Sequence, residues 1–228
     1  MSDLKQQIYA GPTDGGVSGL EELARRAWED EGFFQVQVCS EARVITSNPE
    51  NERVAVTLHV DEGKQYRLSD ITFKNNRGLN NTEALRSLFL IKDGEIFKRS
   101  VIGPGLENLR LAYREFGYVN ATSVPDTFIN DKTGTISLTV DIDEGKQFYV
   151  TDIHVLGASG ETMDGLLREA PLQPGQVFNQ RLAEYFFSLG GGLLPPAISP
   201  ASRIHLELDE KDGTLAILST FENAGRLT

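Results

Sequence analysis

Cysteine is almost absent from this 228-residue sequence. Cys39 stands alone, so no disulfide can close within the chain and no cysteine cluster can hold zinc. Histidine is scarce too: His59, His154 and His205 fall singly in strand-like segments, none with a partner at metal-ligand spacing. No apolar run approaches the roughly 18 residues that a membrane helix needs. The opening "MSDLKQQIYAGP" lacks the apolar stretch of a signal peptide. The expectation is therefore either a cytoplasmic protein or an internal piece of an exported one. Basic charge is in deficit, with 22 Lys and Arg against 33 Asp and Glu and a net charge of −11. That argues against nucleic acid and anionic lipid as main partners, because both require a basic face. "GPG" at Gly103–Gly105 and "GGG" at Gly190–Gly192 lack the Lys-Ser/Thr of a phosphate loop and are expected to set helix ends. No cofactor, metal or catalytic residues are expected. What remains is 39% hydrophobic and 24% charged, enough to build a core.

What is present is repetition. "DEGKQ" stands at Asp61–Gln65 and again at Asp143–Gln147, an offset of 82 residues. The flanks follow at the same offset: Tyr66 matches Phe148, Leu68 matches Val150, Ile71 matches Ile153 and Phe73 matches Val155. Farther on, Gly94 and Phe97 match Gly175 and Phe178, and "DKTGTISL" at Asp131–Leu138 matches "EKDGTLAI" at Glu210–Ile217. A partial copy precedes these, since "GLEELARRAWEDEGF" at Gly19–Phe33 resembles "GLENLRLAYREFGY" at Gly105–Tyr118. The chain is about two and a half copies of a unit near 80 residues, with expected boundaries at 1–62, 63–144 and 145–228. DEGKQ is the junction. Asp61, Glu62 and Gly63, with Asp143, Glu144 and Gly145, are expected to turn one unit into the next, and each glycine supplies a φ that other residues avoid.

Each unit reads β-α-α-β-β. The apolar positions of the opening strand slip phase by one between Leu68 and Ile71, and again between Val150 and Ile153, which predicts a bulge. A short helix over about Asn81–Ile91 follows, capped by Asn80 or Asn81, and Ser159 would cap its counterpart. A second helix carries Leu106, Leu109, Tyr113 and Phe116 and stops at Gly117; Gly32 and Gly190 are the equivalent stops. Trp28, Tyr113, Phe116 and Tyr185 read as core. A hairpin closes the unit, with Ile136, Leu138, Val140 and Ile142 alternating with polar residues, as Val54, Val56, Leu58 and Val60 do. In the last copy the three glycines and a Pro-rich loop predict a displaced final hairpin. Paired carboxylates for a hydrolase between units would be expected to recur in each copy, and no such set does.

The element order, the "DEGKQYRLSDITF" junction and the helix–Gly–aromatic stop resemble the POTRA domain, over about Gly19 to Phe221. Tandem arrays of this spacing look like the periplasmic part of outer-membrane protein assembly factors, and two-partner secretion transporters use the same module. The resemblance implies an α+β fold, each domain a three-stranded sheet covered by two helices. It also implies a non-enzymatic scaffold in the periplasm, attached to the outer membrane through a C-terminal β-barrel that this sequence lacks. The implied partners are unfolded outer-membrane proteins and accessory assembly subunits, bound by strand addition. The strand after the second helix would be the open edge. Arg203, Ile204, His205, Leu206, Glu207, Leu208 and Asp209 form the favoured docking edge, and Val36, Gln37 and Val38 begin the second candidate. The strand with Pro125 is disfavoured because proline lacks a donor. The truncated first copy, with its strand Arg53–Asp61 unpaired on one side, predicts self-association.

Overall fold

Alternation in the sequence becomes alternation in burial: Ile136, Leu138, Val140 and Ile142 are all no more than 3% exposed, with polar neighbours facing out. The computed structural model describes residues 16–48, 51–156, 160–189, 198–199, 204–220 and 222–223. In chain order the elements are α1 (Gly16–Asp30), β1 (Gln37–Asn48), β2 (Asn51–Asp61), β3 (Arg67–Lys74), α2 (Thr82–Ser87), α3 (Arg99–Glu115), β4 (Thr122–Asn130) and β5 (Thr135–Asp143). They continue with β6 (Tyr149–Leu156), α4 (Glu161–Glu169), α5 (Gln180–Leu189), β7 (Ile198–Ser199), β8 (Ile204–Asp209), β9 (Thr214–Thr220) and β10 (Glu222–Asn223). Two compact units result. One is Met1–Thr72, Phe89–Gly105 and Pro125–Thr139; the other is Phe73–Leu88, Leu106–Val124 and Val140–Thr228.

The first unit holds α1 and the antiparallel pair β1-β2, which run in register from Gln37↔Asp61 to Val44↔Val54 and shift by one between Val44 and Thr46. Three-stranded sheets run in the orders β3-β5-β4 and β6-β9-β8. In the second unit the opening strand β6 pairs parallel with β9, and β8 pairs antiparallel with β9 from Ile204↔Ser219 to Asp209↔Thr214. The sheet's apolar face packs with α5 and neighbouring segments into one core that includes Phe148, Val150, Phe178, Ala183, Phe186, Leu215 and Ile217. The phase slip is real: the β6–β9 register shifts between Val150 and Asp152. The extra residue, Thr151, donates its hydroxyl to the Leu215 carbonyl at 3.0 Å. The hairpin turns are built alike. Asn130 Oδ1 accepts from Lys132 and Thr133 amides, Asp209 Oδ1 accepts from those of Lys211 and Asp212, and Gly134 and Gly213 close the turns at positive φ.

Several expectations need correction. The helix expected over Asn81–Ile91 is six residues long. Asn81 caps it, accepting from the Ala84 amide at 3.1 Å. Its end is set where Asn108 Nδ2 donates to the Leu88 carbonyl, after which Phe89 and Ile91 bury themselves as loop residues. Gly103–Gly105 does not mark a helix end; it lies inside α3, with Pro104. Gly105 is small there because a Cβ would run into the Phe89 ring. Phe116 and Tyr185, read as core, are 53% and 68% exposed. Phe116 lies just past α3, and α5 turns Ala183 and Phe186 inward instead. The final hairpin is not displaced, since β8 and β9 pair directly through the Asp209 turn. Ser159, Gly190–Gly192 and Arg203 lie outside the described residues.

Candidate functional site

Two features of the repeat bear on function: the junction and the free sheet edge. At each junction the glycine takes a positive φ, 67° at Gly63 and 63° at Gly145. The aspartate two residues earlier accepts from the glycine amide, Asp61 at 3.3 Å and Asp143 at 3.2 Å. The lysine reaches forward to the next hairpin turn: Lys64 Nζ donates to the Asp131 carbonyl at 2.9 Å and Lys146 Nζ to the Lys211 carbonyl at 2.7 Å. The glutamine reaches back to the end of the preceding helix: Gln65 Nε2 donates to the Glu31 carbonyl and Gln147 Nε2 to the Phe116 carbonyl. The aromatic that follows is buried, Tyr66 at 0% and Phe148 at 1% exposure. Its amide donates to the helix-stop glycine, Tyr66 to Gly32 at 2.8 Å and Phe148 to Gly117 at 2.9 Å. Glu144 accepts from the Gly78 amide with both oxygens and from the Tyr113 phenol at 3.0 Å. Burial, then that bond, pushes the Tyr113 phenol well above the usual tyrosine value.

Which edges can pair with another chain? The start of the opening strand is closed on its outer side by the loop between the helices. Leu68 donates to the Glu95 carbonyl, Gly94 to that of Leu68, and Phe97 to that of Tyr66. The later copy repeats this with Val150, Gln176, Gly175, Phe178 and Phe148. β3 and β6 are outer strands closed in this way at their first residues, and β4 and β8 are the outer strands on the opposite sides of the two sheets. β4 contains Pro125, which offers no donor. β8 has no proline. Ile204 and Leu206 are half-buried and Leu208 is 38% exposed, all on one face, while His205, Glu207 and Asp209 are exposed on the other. Beside that apolar row runs a groove of about 360 Å³, reaching Phe178, Ala183 and Arg114. In the two-stranded sheet Gln37 and Val38 begin β1, directly after buried Val36. The apolar residues Val54, Val56, Leu58 and Val60 of its partner β2 are only half-buried.

Sequence reading missed three things: the forward and backward reaches of Lys64/Lys146 and Gln65/Gln147, the blocking loop at Gly94 and Gly175, and Arg114. The first was signalled by all five junction letters recurring, not only the turn formers. The second was signalled by the Gly–x–x–Phe match. Arg114 carried no signal, because the partial copy has Glu29 there. Among the described residues no group of three or more His, Cys, Asp or Glu is placed to hold a metal. No described helix is long and apolar enough to cross a membrane.

Comparison with known proteins agrees with this architecture. Residues 66–145 match the POTRA family model, described as a surface antigen variable number repeat. The chain is 31% identical over 166 residues to the outer membrane protein assembly factor BamA of Buchnera aphidicola, covering 72% of this chain and 26% of that protein. It is 21% identical over 141 residues to BamA of Neisseria meningitidis, covering 62% and 17%. The chain thus spans about a quarter or less of the length of these relatives. In fold it is similar to the crystal structure of Haemophilus influenzae BamA POTRA3-5, with a TM-score of 0.60, 19% identity, and coverage of 96% of this chain and 85% of that one. BamA from Haemophilus ducreyi lacking POTRA domains 1-3 gives a TM-score of 0.53 at 18% identity, covering 69% and 29%.

Proposed function

From a chain that carries a POTRA domain over residues 66–145 and resembles the POTRA region of BamA, we propose a periplasmic scaffold of an outer-membrane protein assembly factor. It receives extended segments of unfolded outer-membrane proteins by adding them as a strand to β8. The boundaries 1–62, 63–144 and 145–228 are part of the same proposal, each DEGKQ setting one domain on the next. The observation that carries the reading is the asymmetry of the β6-β9-β8 sheet. The start of its β6 side, at Phe148 and Val150, is occupied by the Gly175–Phe178 loop, and its β8 side is a proline-free outer strand. Backbone groups there can pair with any extended client, so affinity is weak and sequence-tolerant. Exposed Glu207 and Asp209 oppose permanent pairing. The test is a titration with peptides from outer-membrane β-strands, followed by amide NMR. Ile204–Asp209 should shift more than Thr122–Asn130. Largest shifts on the Pro125 strand or at Asp61–Gln65 would overturn the assignment.

A further inference from the structure

Arg114 is a half-buried arginine whose Nε is shut off from solvent without a hydrogen-bond partner. It lines the groove beside Ile204, Leu206 and Leu208. Two carboxylates stand near enough to act on its charge, Glu107 and Glu184. Arg110 donates to Glu107 at 2.6 and 2.9 Å, and Gln180 Nε2 donates to one oxygen of Glu184, which also lines the groove, at 2.5 Å; neither carboxylate accepts from Arg114 Nε. Gln180 Oε1, also on the groove, is buried without a donor. Burial first, then the neighbouring Arg110 charge, pulls the Arg114 guanidinium below its ordinary value.

The repeat shows what a closed version of this corner looks like. Glu29 occupies the position of Arg114, one residue after the helix aromatic, and Arg99 that of Gln180, two residues after the core phenylalanine. There Arg99 donates to Glu29 at 2.9 Å. At the later junction the acid has become a base and its partner an amide, so the ion pair of the earlier corner has no counterpart and Arg114 Nε is left without an acceptor. A buried charge-bearing donor without an acceptor is costly, and a carboxylate bound to it forms a charge-assisted bond.

We propose that Arg114 selects the segment that docks on β8, accepting an extended strand with an acidic side chain in its groove-facing row. This deepens the strand-addition reading and rests on it. A strand added outside β8 projects every second side chain to the face that carries Ile204, Leu206 and Leu208. Apolar side chains of that row meet Phe178 and Ala183, and one glutamate or aspartate meets Arg114.

The test uses the whole chain and labelled nine-residue peptides alternating valine and threonine. Glutamate is placed in turn at each valine position, with glutamine at the same position as its control. Fluorescence anisotropy gives the affinities, and amide NMR gives the site. At one position glutamate should bind about tenfold tighter than glutamine, the size expected of one charge-assisted bond. Arg114→Gln should bring that ratio to about one. Equal binding of each pair, with shifts on Ile204–Asp209, overturns the role of Arg114 and leaves strand addition standing. No binding of any peptide overturns strand addition and this proposal with it. Because the peptide pair is compared on the unaltered protein, the outcome does not depend on the variant folding.

Discussion

The Phe148 amide donates to the Gly117 carbonyl at 2.9 Å, joining the first buried aromatic of one repeat to the helix stop of the repeat before it. Such closeness needs a glycine. At Gly117 φ is 82°, and a Cβ would lie 2.8 Å from Val177 Cγ1 and 3.0 Å from the Phe148 oxygen. At Gly145 φ is 63°, but the nearest atom to a Cβ would be 3.8 Å away. Gly117→Ala is therefore expected to cost roughly 2–3 kcal/mol, strain and clash together, and Gly145→Ala about 1 kcal/mol from strain alone. Urea unfolding of both variants checks the order. Equal losses would mean that the helix stop is not tightly packed against the next repeat.

Tyr66 should show in alkaline stability. Its phenol donates to Asp131 Oδ1 at 2.5 Å, and that bond, then burial and the Asp131 charge, pushes its pKa up to about 12. An unfolded tyrosine titrates near 10. The folded chain holds this proton more tightly, so the contribution is complete below about pH 10 and is lost as pH rises towards about 12. The stability gap between the native chain and Tyr66→Phe should be level from neutral pH to about 9.5, then narrow. A gap that stays constant to pH 12 would contradict the bond.

Much of this was legible beforehand, and the reasons are local. A bulge shows as a phase slip because side-chain direction alternates with period two, so Thr151 could be anticipated from Val150 and Ile153 alone. The junction glycines showed because positive φ has few other occupants. Helix length did not show. Leu88, Phe89 and Ile91 keep an apolar rhythm after α2 has ended, and contacts with Asn108 and Gly105, far along the chain, accompany its end. The Gly–x–x–Phe match marks the loop at Gly94 and Gly175, but the edge it closes is a backbone pairing, which side-chain pattern does not specify. Arg114 is defined by a missing partner, which no single position can announce.

The two-stranded sheet predicts self-association. β2 keeps Val54, Val56, Leu58 and Val60 half-buried, whereas their counterparts in β5 are almost wholly covered. Sedimentation should show a concentration-dependent dimer or larger species, with Val56→Lys shifting it to monomer. A strict monomer at high concentration, with the Val54–Val60 amides protected from exchange, would contradict this.

The proposed boundary at Glu144 can be tested by division. Spectra of residues 1–144 and 145–228 should overlay that of the whole chain, except near Gly117, Asn120, Gln147, Phe148 and Glu210, which bridge the cut. An unfolded spectrum for 145–228 would mean that the last repeat does not stand alone.

Strand addition at β8 is tested most directly by photo-crosslinking. A photoreactive amino acid placed in turn at His205 and Glu207 on β8, and at Thr127 on β4, all exposed, is irradiated with an unfolded outer-membrane protein. Covalent adducts should form at His205 and Glu207 several-fold more than at Thr127, and a competing β-strand peptide should suppress them. Equal yields at the two strands, or adducts concentrated at Thr127, would show that clients do not dock on β8.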